Sequence, residues 1–164
     1  MYNIGDKIVY PMHGAGVIEA IEEREILGKR QKYYIMKMPI GEMKVLIPMM
    51  NVKEIGIRAV IDQSEAENVI QIFKKDATDM SSNWNKRYRE NMNRIKSGNI
   101  YEVAHVVKNL MTREKQKGLS TGERKMLNSA KQILISELVL AKSMSQEDIE
   151  KMLDNLVNNS LEIS

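Results

Sequence analysis

Trp84 is the chain's single tryptophan. It stands in Asn83-Trp84-Asn85-Lys86-Arg87-Tyr88-Arg89-Glu90-Asn91-Met92-Asn93-Arg94-Ile95-Lys96, a segment with five basic residues and one acid. A flat aromatic ring flanked by cations can stack on a base or wedge between two, while the cations hold phosphates. Trp84, Tyr88 and Ile95 also share helical spacing, so the same residues would serve as an apolar core stripe. Trp84 falls at the very start of that helix, where packing is poorest, and directly beside Lys86 and Arg87. Composition alone leaves both roles open.

A second basic cluster, Arg113-Glu114-Lys115-Gln116-Lys117-Gly118, is followed across a turn by Arg124-Lys125. The helix that begins near Thr121 also offers unpaired backbone N–H groups to a phosphate. Two such clusters meeting near helix ends would position phosphates with little means of reading bases, and nothing here resembles a recognition helix. Binding that is non-specific or structure-specific is the expectation. The histidines promise less. His13 lies in Tyr10-Pro11-Met12-His13-Gly14-Ala15-Gly16, which reads as a turn between strands because no P-loop lysine pattern or helix follows. His105, between Ala104 and Val106 inside a helical pattern, reads as a structural, half-buried residue. The adjacent carboxylates Glu22 and Glu23 do not converge on an acid/base pair.

Behind these residues is a chain of 164 residues that is 43% hydrophobic and 29% charged, with no cysteine and two histidines. That composition fits a folded protein and excludes a disulfide scaffold, a thiolate metal site and a cysteine nucleophile. It fits a reducing cytoplasm, and no stretch looks like a membrane span or a signal peptide. Neither a cofactor, a metal nor catalytic activity is expected. The formal net charge is +3, yet residues 84–131 hold twelve Lys/Arg against four Asp/Glu, a local net of +8. Residues 57–83 and 132–164 compensate with −2 and −4. A concentrated basic block in a balanced chain is what a polyanion-binding face looks like in one dimension, although solvated helix faces give the same pattern.

The elements that must carry these residues change character near Gly56. Before it, Gly5, Gly14, Gly16, Gly28 and Gly41 and all three prolines punctuate short β-branched and aromatic runs: Ile8 to Tyr10, Gly16 to Ile21, Tyr33 to Met38 and Met43 to Ile47. This predicts a small antiparallel sheet or barrel, with hairpin connections at Leu27-Gly28-Lys29-Arg30 and Pro39-Ile40-Gly41-Glu42. From Ile57 onward there is no proline and the apolar period becomes helical, predicting about five helices. Ser120-Thr121-Gly122-Glu123 reads as a capping box opening the longest of them, Gly118 as the terminator of the helix before it, and Ser145 with Asp148 as a last cap. The expected class is α+β: residues 1–56 a β module, residues 57–164 a helical domain. The thirteen methionines read mostly as adaptable core filling.

Gly5-Asp6-Lys7-Ile8-Val9-Tyr10-Pro11 with His13-Gly14-Ala15-Gly16-Val17-Ile18 resembles the start of the CarD/CdnL family of bacterial RNA polymerase-binding transcription regulators. The likeness continues through Asn83 to Arg89 and Gly118 to Leu127, and so covers essentially the whole chain. The first motif also resembles the polymerase-binding module of the transcription-repair coupling factor, whose helicase domains this length excludes.

The resemblance implies a Tudor-like barrel that docks on the β subunit of RNA polymerase. It also implies a helical domain that touches promoter DNA at the upstream edge of the transcription bubble. Arg24 and the strand Lys44-Val45-Leu46-Ile47-Pro48 would face the polymerase. Trp84 would be the minor-groove wedge, with Arg89, Arg124 and Lys125 supporting it on phosphates; Lys86 and Arg87, beside the ring in the sequence, are expected to contact DNA with them. Some members carry an arginine where this chain has Leu46, and Lys44, on the same side of a strand, could supply the cation. The expected function is stabilisation of the promoter open complex by a monomer without strong sequence specificity. The competing readings are an RNA-binding module using the same basic helices and a polymerase-tethered adaptor whose helices bind another protein.

Overall fold

The computed structural model describes residues 1–163, so Ser164, at the end of the expected helical domain, lies outside them. Four strands come first: β1 (Lys7–Tyr10), β2 (Gly14–Ile26), β3 (Lys29–Lys37) and β4 (Lys44–Pro48). A single turn of 3-10 helix (Met49–Asn51) and the short helix α1 (Val52–Ile55) follow, then β5 (Arg58–Ala59). The helices α2 (Gln63–Lys74), α3 (Trp84–Lys96), α4 (Ile100–Gln116), α5 (Thr121–Lys142) and α6 (Gln146–Ile163) complete the chain. The class is α+β, as expected. Among the described residues no helix is long and apolar enough to cross a membrane.

The sheet is antiparallel, ordered β4-β3-β2-β1-β5, so β4 and β5 are its edges. Its last strand lies just beyond Gly56 and pairs Ile8 with Ala59 and Val9 with Arg58. The β2–β3 hairpin is longer than its apolar run predicted. Ile26 faces Lys29, and only Leu27 and Gly28 form the turn, both at positive φ (54° and 76°). That is the two-residue turn whose twist matches the flanking strands. The outer part of the hairpin, Glu22 to Arg30, is charged and exposed, so it carries no burial alternation for a sequence reading to detect. Ile8, Ile18, Tyr34, Met36 and Ile47 form the sheet's own core.

The helices bury a second and larger core, centred on α4 and α5. Side chains cap the starts of four of these helices: Asp62 for α2, Asn83 for α3, Asn99 for α4 and, as expected, Ser120 for α5. Gly118, at φ 81°, turns the chain out of α4. The buried Lys108 of α4 (1% exposed) donates to the Phe73 carbonyl near the end of α2, at 3.1 Å. Burial pushes its ammonium below the usual lysine range.

Sheet and helices dock through β2 and β5 against α5. The Ala15 N–H donates to Ser136 Oγ at 2.9 Å, and a Cβ on Gly14 would lie 2.7 Å from that oxygen, so the approach requires glycine. Arg58 of β5 makes a two-pronged pair with Glu137 of α5 (2.7 and 2.8 Å), and Glu137 also accepts from the Ile61 N–H at 3.0 Å. Glu137 is fully buried, so this pair ties the two parts together.

Candidate functional site

Trp84 sits where the start of α3 meets the turn into α5. The Asn83 side chain accepts from the Lys86 N–H at 2.9 Å and fixes the first turn of α3. The indole is 42% exposed and stacks on Tyr88, with ring centroids 5.1 Å apart and planes 21° from parallel. Its Nε1–H donates to Ser120 Oγ at 2.9 Å. A Cβ built on Gly122 would lie 3.5 Å from the Trp84 ring, so the ring's edge runs along the first turn of α5. Of the core stripe suggested by Trp84, Tyr88 and Ile95, Ile95 is buried and Tyr88 packs half-buried against the helical core, while Trp84 stays exposed and Arg87 and Asn91 are the other buried residues of α3.

That arrangement corrects one expected DNA contact. Arg87 is 3% exposed and Glu123 is 2% exposed. Arg87 Nε and Nη2 donate to the two carboxylate oxygens of Glu123 at 2.7 and 3.1 Å, and Nη1 donates to the carbonyls of Ser81 and Ser82. Its guanidinium is therefore spent inside the protein and cannot reach a phosphate. The hydrogen bond from Arg87 holds the Glu123 carboxyl below the usual carboxylate range despite burial, with help from Ser120 and the nearby charge of Arg113. The capping box is accordingly half formed. Ser120 Oγ accepts from the Glu123 N–H at 3.2 Å, but the Glu123 carboxylate takes Arg87 and the Ser120 hydroxyl instead of returning to a backbone donor.

Lys86, Arg89, Arg124 and Lys125 are all exposed near the indole's two helix starts. Lys86 lies 3.9 Å from Glu90, and Arg124 lies 3.5 Å from Glu114 while donating to the Leu119 carbonyl. Among the described residues Arg89 and Lys125 have no ion-pair partner. Four exposed cations of the basic block thus lie on the two helices whose starts meet at the indole, while Arg87 and Lys108 are buried.

The expected polymerase-facing residues come together through register. Successive pairs Ala20–Ile35–Leu46 and Glu22–Tyr33–Pro48 run across β2, β3 and β4, with Arg24 opposite Gln31 and Lys37 opposite Lys44. Side chains alternate along a strand, so Arg24, Lys44, Leu46 and Pro48 share the face opposite the sheet's core. Arg24 pairs with Glu22 at 2.8 Å and Lys44 with Glu19 at 3.0 Å; Leu46 and Pro48 are half-buried. β4 pairs only with β3, so its outer edge is unpaired.

The histidines stay structural. His13 turns β1 into β2, its N–H donating to the Tyr10 carbonyl at 2.9 Å and its ring meeting Tyr10 edge-on. His105 is half-buried on α4, where burial and Arg94 lower its pKa. Among the described residues no cluster of metal-ligating side chains occurs. The sequence reading missed the roles of Tyr88 as the ring's platform, Ser120 as its hydrogen-bond partner, and Glu123 and Glu137 as buried anchors.

Residues 68–154 match the CarD C-terminal domain family, and residues 2–61 match the CarD-like/TRCF RID domain family. The chain belongs to the CarD family. It is 44% identical over 150 residues to a Bacillus subtilis (strain 168) protein named "Putative transcription factor YdeB", covering 92% of this chain and 98% of that one. CarD-like proteins are transcription factors rather than enzymes. The RID (RNA polymerase-interacting) domain implies an interaction with RNA polymerase, and it coincides with the five-stranded sheet.

Proposed function

We propose that this CarD-family protein docks on the β subunit of RNA polymerase through the outer face and free edge of its sheet. It then stabilises the promoter open complex by placing Trp84 at the upstream edge of the bubble. The observation that carries this reading is the indole itself: part-exposed, stacked on Tyr88, and set where two helix starts bearing the exposed cations Lys86, Arg89, Arg124 and Lys125 meet. A ring pushed between bases costs less unstacking where strands already separate than in closed duplex, so it favours the open state. Only that difference shifts the equilibrium; about 1.4 kcal/mol is tenfold in population.

An unpaired β4 edge can extend a partner's sheet through main-chain hydrogen bonds. Docking there raises the concentration of the helical surface beside DNA, so its own affinity for DNA can be weak. The Arg58–Glu137 pair supports this by fixing the angle between docking face and ring.

The test is the lifetime of open complexes formed with Trp84→Ala. Polymerase binding is retained and the lifetime shortens by about tenfold if the wedge is worth the figure above; an unchanged lifetime refutes the role. In parallel, Arg24→Glu weakens binding to a β-lobe fragment by calorimetry, and unaltered affinity would move the docking face elsewhere.

A further inference from the structure

We infer that Ser120 is the positioning residue of the Trp84 wedge and that it also silences the ring, by occupying the indole's one hydrogen-bond donor. This rests on the wedge reading above. A serine hydroxyl has one proton to give and two lone pairs to accept with. At Ser120 all three are in use. The proton goes to Glu123 Oε1 at 3.1 Å, and the lone pairs take the Glu123 N–H at 3.2 Å and the Trp84 Nε1–H at 2.9 Å.

An ionised carboxylate only accepts, so Glu123 dictates which way the hydroxyl points and leaves a lone pair for the indole. Glu123 is itself immobilised by the buried Arg87, which also grips the Ser81 and Ser82 carbonyls ahead of α3. A relay therefore runs from the buried pair through Ser120 to the exposed ring, and Tyr88 supports the ring's face.

Two consequences follow for DNA. The ring is held before it meets its target, so little ordering is left to oppose insertion. Its solvent-facing part also carries no donor for the acceptors on the minor-groove floor, where A·T and T·A pairs look alike in any case. The wedge enters by shape and stacking and takes no part in choosing sequence.

Because the chain has one tryptophan, its spectrum contains one indole N–H resonance. In the free protein, Ser120→Ala speeds exchange of that proton with water by about an order of magnitude, while Ser120→Thr, which keeps an acceptor, restores slow exchange. Unchanged exchange in Ser120→Ala overturns the relay, whatever the polymerase assay gives.

Ser120→Ala also removes a helix cap, so open-complex lifetimes are compared in two backgrounds. With Trp84 present the lifetime falls roughly threefold; with Trp84→Phe, whose ring has no donor, adding Ser120→Ala changes nothing further. Equal losses in both backgrounds would reduce Ser120 to a cap and overturn the inference. Should Trp84→Ala leave the lifetime intact, the wedge reading falls while the exchange measurement still decides the relay.

Discussion

The outer face of the sheet and the corner at Trp84 both present cations to solvent, but different physics holds them there. On the sheet, Arg24–Glu22 and Lys44–Glu19 are open surface pairs, worth between nothing and about 1 kcal/mol each. Their charges can trade partners with an incoming protein at little cost. At the corner, the exposed ring rests on an Arg87–Glu123 pair sealed from water, where losing either partner strands a buried charge. One region is suited to adapting to a protein surface; the other is suited to delivering a ring at a fixed place. The Arg58–Glu137 pair, with one buried and one part-exposed member, joins them.

The contrast breaks or sharpens under substitution. The largest effect is expected from Arg87→Ala, which leaves Glu123 unpaired in the core and costs about 3–5 kcal/mol. Urea unfolding followed by Trp84 fluorescence would show it, and a loss under 1 kcal/mol would mean the corner is no more rigid than the sheet.

Arg58→Ala comes next. Arg58 is part-exposed and Glu137 keeps the Ile61 N–H, so water and one hydrogen bond soften the loss to about 2–3 kcal/mol. If the sheet and helices still unfold together, at unchanged denaturant concentration, the pair does not clamp them.

The third measurement uses pH. The folded-state pKa of Glu123 is lowered, so its stabilising contribution is fully present above the unfolded carboxylate pKa of about 4.3 and is lost as pH falls below that value. The stability gap between the wild type and Glu123→Gln should be constant from neutral pH down to about 5 and narrow below about 4. A gap independent of pH across that range would deny the ion pair its role. The smallest effect belongs to the sheet: Arg24→Ala should shift unfolding by no more than about 0.5 kcal/mol, and a larger loss would make that face structural.

Much of this was legible in residue order. The Gly/Pro punctuation before Gly56 and the proline-free helical periodicity after it marked an antiparallel sheet followed by five helices. The caps at Ser120 and Ser145 hold as hydrogen bonds. The outer half of the β2–β3 hairpin was hidden because both its faces meet water and leave no alternation to read. Arg87 looked like one more cation in a run of five. The counter-signal lay on another helix: Glu123 falls in line with Met126, Leu127 and Ala130 on the buried side of α5, and Glu137 falls in line with Leu134 and Leu138. A carboxylate on an apolar stripe announces a buried cation somewhere.

The sequence by itself determined that α5 carries two such carboxylates, that one aromatic ring opens a basic helix, and that short strands precede long helices. These are local facts, set by spacing and residue type. Only the tertiary structure decided which arginines answer the glutamates, because the partners lie 36 and 79 residues away and any cation would satisfy the charge. That choice of partner is what removes Arg87 from the surface and leaves Trp84 standing on it.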